Sequence, residues 1–223
     1  MQRHILITLA ALALSTVAFS QAIDSATPDA FQIRYVGNVT SNGTATDPSG
    51  NSLVINITNS GTSVTSNNRI KNPLCINIYA FDPQEELLAC CTCQVTPNGL
   101  VHVSVQTDIA SHLLTPGTPN SYVIKLLATN ITNTRSCDAG NNYGVGDLAG
   151  GMRAWGTTLH FPPGGTTPTV LTEGAFLNGG LSQAELNHIT TFCGFIEANG
   201  SGFGACSTAC SPANGALGGA KGN

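Results

Sequence analysis

Apolar residues recur along this chain mostly with a period of two. Phe31, Ile33 and Tyr35 alternate with Gln32 and Arg34, the pattern of a strand with one face buried. Between Gly37 and Asn68 the chain is rich in Thr, Ser, Asn and Gly, with one apolar island at Leu53-Val54-Ile55-Asn56-Ile57, a strand between long turns. Leu74 to Phe81 and Leu87 to Cys93 form a strand pair around the turn that opens at Asp82-Pro83. After the turn Pro97-Asn98-Gly99, Val101, Val103 and Val105 share one face while His102 and Ser104 point the other way, towards solvent. Tyr122 to Ala128 is almost uninterruptedly apolar, as a central strand is. Met152 to Phe161 carries the only Trp, at position 155, and is stopped by Pro162-Pro163-Gly164-Gly165. Strands at this spacing predict a mainly β fold, an antiparallel β-sandwich or barrel-like domain with its core over about residues 31 to 161.

The period changes only near the C-terminus. Ser182 followed by Glu185 fits a capping box, and Leu186, Ile189, Cys193 and Ile196 fall on one helical face before Asn199-Gly200 ends the run. Residues 162–214 are therefore read as one C-terminal α-helix with a Cys-containing segment packed on the β-rich domain of residues 23–161. The Gly-rich residues 215–223 read as a flexible tail. At the other end, Arg3 and His4 precede an apolar run from Ile5 to Phe19 and the small residues Ser20 and Ala22. Residues 1–22 are thus a secretory signal peptide, with cleavage after Ala22. The run is too short for a bilayer span, which needs roughly 20 apolar residues.

Composition narrows the partners. Charged residues make up 9% of the chain against about 25% in an ordinary globular protein, and the formal charge is −4. No dense cationic field is available for phosphates, so nucleic acid is excluded as a partner. A hydrophobic share of 41% suffices for a packed core.

Eight cysteines, at 75, 90, 91, 93, 137, 193, 206 and 210, all follow the cleavage point. In an exported chain an even number means disulfides, and 105 pairings are open. On a strand Cys91 and Cys93 face one side and Cys90 the other. With Cys75 roughly opposite the 91 to 93 region, a cross-strand or adjacent-strand disulfide is expected there. The sharper alternative is a soft-metal site of Cys75, Cys90, Cys91 and Cys93, four thiolates for Cu(I) or Zn, although the repeated CxxC knuckles of zinc sites are missing. Cys193 is expected to bond Cys206 or Cys210 across the Gly-rich turn, with the leftover cysteine tying the tail to the middle of the chain.

No catalytic signature emerges. Ser201 lies in Gly200-Ser201-Gly202 after a helix, not in a nucleophile elbow. Gly144, Gly146 and Gly150 do not form a dinucleotide fingerprint. Glu185 and His188 have the spacing of a carboxylate-bridged metal motif, but it occurs once and Glu185 is better read as a capping residue. Asp82, Glu85 and Glu86 read as a solvated hairpin tip, with a weak Ca²⁺ site as the alternative. Asn38, Asn42, Asn56, Asn130 and Asn199 begin Asn-x-Ser/Thr sequons and mark surface.

The segments Leu74-Cys75-Ile76-Asn77-Ile78-Tyr79-Ala80-Phe81-Asp82-Pro83, Cys90-Cys91-Thr92-Cys93 and Thr96-Pro97-Asn98-Gly99-Leu100 resemble a group of uncharacterised exported bacterial proteins. The resemblance continues through Gly151 to His160, Cys193 to Ile196 and Gly200 to Gly204. It implies export and a shared fold, and it carries no catalytic residue. The expected function is a non-enzymatic secreted or periplasmic protein, an envelope, structural or adhesion-type module without a cofactor. Its expected partners are copies of itself or a surface protein or glycan. The alternative is a secreted Cys-based metal-binding or redox protein.

Overall fold

A computed structural model describes residues 29–37, 51–62, 72–110, 119–131, 137–160 and 169–200, with positions 113, 162, 167 and 206. Residues 1–22, expected to be a signal peptide, lie outside the described residues, as do Ser201, Cys210, Asn38, Asn42 and residues 207–223. Among the described residues nine strands form two antiparallel sheets: β1 (Phe31–Val36), β2 (Asn51–Asn59), β3 (Leu74–Phe81), β4 (Leu87–Val95), β5 (Leu100–Ser104), β6 (Tyr122–Asn130), β7 (Met152–His160), β8 (Val170–Ala175) and β9 (Leu177–Asn178). An α-helix, α1 (Gln183–Ala198), follows them. The first sheet runs β4-β3-β6-β1-β9 and the second β5-β2-β7-β8.

The five-stranded sheet is covered on both faces, which explains its composition. Ile76, Ile78, Ala80, Cys91, Cys93, Ile124 and Leu126 face the second sheet and pack with Ile55, Ile57, Val101 and Val103. Tyr79, Phe81, Cys90 and Leu127 face the other way, onto Leu186, Ile189, Cys193 and Ile196 of α1 and onto Ala139, Tyr143 and Leu148 of the segment before β7. Every residue of β3 is buried as a result, which is why it reads as a continuous apolar run. Its one amide, Asn77, is satisfied in place: it donates to Thr129 Oγ1 (3.2 Å) and the Leu127 carbonyl (3.3 Å), and accepts from Thr92 Oγ1 (2.9 Å).

The β-sandwich with one C-terminal helix is thus present, and the expected strands are found among the described residues of 31–160, except that Val105 leaves β5 and opens a π-helical turn (Val105–Ile109). The β-rich unit runs further than residue 161, however. β8 pairs with β7, and after Phe176 the chain crosses to the first sheet, where β9 pairs with β1. The helix starts as the sequence implies, with Ser182 Oγ accepting from the Glu185 amide at 3.0 Å. The Glu185 carboxylate does not return to the cap. It pairs with Lys125 of β6 at 2.5 Å and so ties the first turn of α1 to the sheet beneath. Asn199 caps the other end, followed by Gly200 at φ +95°.

Candidate partner-binding groove

Three disulfides cross-link the fold, and one of them holds the helix to the sheet. Cys75 bonds Cys137, Cys90 bonds Cys193, and Cys91 bonds Cys206. Cys93 is bonded as well, and among the described residues no cysteine is free. The opposite facing of Cys90 and of Cys91 with Cys93 is as the strand period requires, since each face sends its sulfurs to a different layer. Two expected pairings are corrected. Cys75 stands across from Gln94 and is joined to the segment that follows β6. Cys193 is joined not to Cys206 or Cys210 but to β4, because the buried stripe of α1 lies against the face of the sheet from which Cys90 projects. The link from tail to middle does occur, at Cys206–Cys91, and the Cys206 amide donates to the Thr92 carbonyl of edge strand β4.

Clamped in this way, α1 leaves one flank open beside the tip of the β3–β4 hairpin. Glu185, His188, Phe192 and Phe195 follow one another at helical spacing along that flank. Phe192 is 48% exposed and Phe195 61% exposed, two neighbouring rings on one flank of the helix. The His188 ring meets Phe192 edge-on, with 4.5 Å between centroids. Facing them are Glu85, Glu86, Leu87 and Leu88 of the hairpin, with Phe81 and Ile196 between, around a cleft of about 170 Å³. A second hollow of about 390 Å³ shares Phe81, Glu85 and His188 with it and extends over Val123 and Lys125 of β6. Lys125 Nζ sits 4.4 Å from the centroid of Phe81 and on Glu185, so its charge is already engaged.

The hairpin wall is preset. Asp82 Oδ1 accepts from the amides of Gln84 (2.9 Å) and Glu86 (2.8 Å), and Glu85 takes a left-handed conformation at φ +68°. Asp82, Glu85 and Glu86 thereby stay at the tip as the sequence implies. Among the described residues they form no ion pair.

At the far end of α1 a carboxyl pair stands beside the clamp. Burial first, then the nearby charge and hydrogen bond of Asp138, push the Glu197 carboxyl up to about 7. Its Oε1 is buried without a hydrogen-bond partner. One carboxylate oxygen of Glu197 and the sulfurs of Cys90 and Cys193 lie within 4.8 Å of one another. The four sulfurs of the weighed metal set do not converge there: Cys75, Cys91 and Cys93 are engaged elsewhere, and all four are in disulfides. Burial also raises the Tyr79 phenol, whose hydroxyl donates to the Ala139 carbonyl at 2.9 Å. His102 is exposed on the outer face of the second sheet, and among the described residues no helix is long and apolar enough to cross a membrane.

Comparison with protein-family models, curated proteins and solved structures finds no match. The groove is a candidate surface that sequence reasoning missed. Its signal was present in Phe192 and Phe195, two large apolar residues outside the buried stripe of a predicted helix.

Proposed function

We propose that this chain is a non-enzymatic, exported adhesion- or envelope-type module that holds a partner in the groove between α1 and the β3–β4 hairpin. The observation that carries the reading is the pair of exposed rings, Phe192 and Phe195, lining a walled cleft on a helix that a disulfide fixes to the sheet. A monomeric domain gains nothing in its own core from such rings, whereas an anchor pocket for a partner uses them directly. Disulfide stapling supports export, since these bonds persist in oxidising compartments. Photo-crosslinking in the cells that make the protein tests the reading. With a benzophenone amino acid at position 195, a discrete adduct is expected. The same group at Tyr35, 67% exposed on β1, should give none. Equal labelling at both positions, or none at 195, would overturn it.

A second reading, Cys-based metal binding or redox exchange, has one observation in its favour: the closeness of Cys90, Cys193 and Glu197. Only the reduced form would offer two thiolates and a carboxylate to Zn²⁺ or Cu(I). Zinc titration after reduction, with retained circular dichroism, tests it; failure to bind zinc removes it.

A further inference from the structure

We infer that the occupant of the groove is a cationic amphipathic segment of a partner protein, one that sets an apolar ridge on Phe192 and Phe195 and places Lys or Arg side chains along the hairpin. The inference rests on the groove being the contact site and adds the chemistry of what fills it. The floor and the Phe192–Phe195 stretch of the helix wall are apolar, Glu185 and His188 further along that wall are paired with each other, Glu185 also with Lys125, and the opposite rim is acidic. Asp82, Glu85 and Glu86 line one side, and none of them has a cationic partner among the described residues. The one lysine in the groove, Lys125, is held by Glu185 and the Phe81 ring and does not neutralise that rim.

The charge pattern favours one class of occupant over others. A neutral apolar segment would cover the rings but would bring the Glu85 and Glu86 carboxylates against its flanks without compensation, and an acidic one would be repelled. A segment with basic residues beside its apolar ridge satisfies both walls at once. Apolar anchors at helical spacing would meet the rings in the manner of a helix laid in a groove. The net charge of the chain, −4, adds a weak long-range attraction of the same sign.

Fluorescence anisotropy of the purified, oxidised chain tests this, with a labelled Leu/Lys amphipathic peptide of about four helical turns and its Leu/Glu counterpart as probes. The Leu/Lys peptide is expected to bind at least about tenfold more tightly than the Leu/Glu one, with affinity falling as salt rises. Glu86→Lys should weaken it several-fold. Glu173→Lys, the same charge change on exposed β8, should leave it unchanged. Phe192→Ser/Phe195→Ser should abolish it, with circular dichroism confirming the fold. Equal binding of the two peptides, or equal effects of Glu86→Lys and Glu173→Lys, would overturn the cationic assignment. The groove reading is tested separately: if the adduct at position 195 persists in Glu86→Lys while these peptide contrasts vanish, the groove stands and only the charge assignment fails.

Discussion

Cys90 on β4 and Cys193 on α1 are joined across the helix–sheet interface, 103 residues apart in the chain and 5.8 Å apart between Cα atoms. The bond sits in an apolar layer with Tyr79, Leu186 and Ile196, so it fixes the helix where burial alone already favours it. Removing it as Cys90→Ala/Cys193→Ala is expected to lower stability by about 2–5 kcal/mol, the usual effect of losing a native disulfide. Urea unfolding checks the loss. Limited proteolysis should then place the first cuts in α1 and not in β3 or β6, whose neighbours on both sides remain.

Glu197 makes stability depend on pH in an uncommon direction. Its folded-state value of about 7 lies above its ordinary 4.5, so the folded protein holds this proton more tightly than the unfolded chain. Its contribution is fully present below pH 4.5 and is lost as pH rises through 7. Glu197→Gln, which keeps a donor facing Asp138, is expected to remove that decline. The gain above pH 7.5 should be on the order of 1 kcal/mol after solvent screening of this half-buried group. Thermal melts of both proteins from pH 4 to 8 check it: the curves should diverge only towards the alkaline end.

Gly140 is where the segment after Cys137 passes closest to the helix. A Cβ there would lie 2.8 Å from Gly194 Cα and 2.9 Å from a Glu197 carboxylate oxygen. The first of these is helix backbone and cannot swing aside. Gly140→Ala should therefore cost about 1–3 kcal/mol by overpacking, while Gly146→Ala, which meets nothing within 4 Å, should be near neutral. Denaturant midpoints of the two variants make the comparison.

Six of the eight cysteines are paired with one another, and Cys93 is bonded too. Cys210 is the cysteine left in the sequence, so a non-reducing peptide map is expected to contain a Cys93–Cys210 fragment. A free thiol at either position would contradict the connectivity.

Much of the sandwich was legible because its strands obey a period of two. Val101 and Val103 show it against His102 and Ser104, although Val105 already opens a π-helical turn, and the nearly unbroken apolar run from Tyr122 to Ala128 marked β6 as a central strand, which it is. β8 was not legible, since all but Gly174 of its residues are exposed and no alternation marks it, and β9 is two residues long. Disulfide pairing was half legible. The strand period separates Cys90 from Cys91 and Cys93, but which layer each face meets depends on where α1 docks. That docking is set partly by Lys125 and Glu185, 60 positions apart. The groove needed the same information: the buried stripe of α1 could be read from Leu186 to Ile196, whereas the hairpin standing opposite Phe192 and Phe195 could not.

Amide hydrogen exchange on the chain alone and bound to the partner captured at position 195 tests the central claim most directly. The account predicts new protection at residues 82–88 and 188–196, the two walls of the groove, and none along β8. Protection confined to the outer face of the second sheet around His102 and Trp155, with both groove walls unchanged, would contradict it.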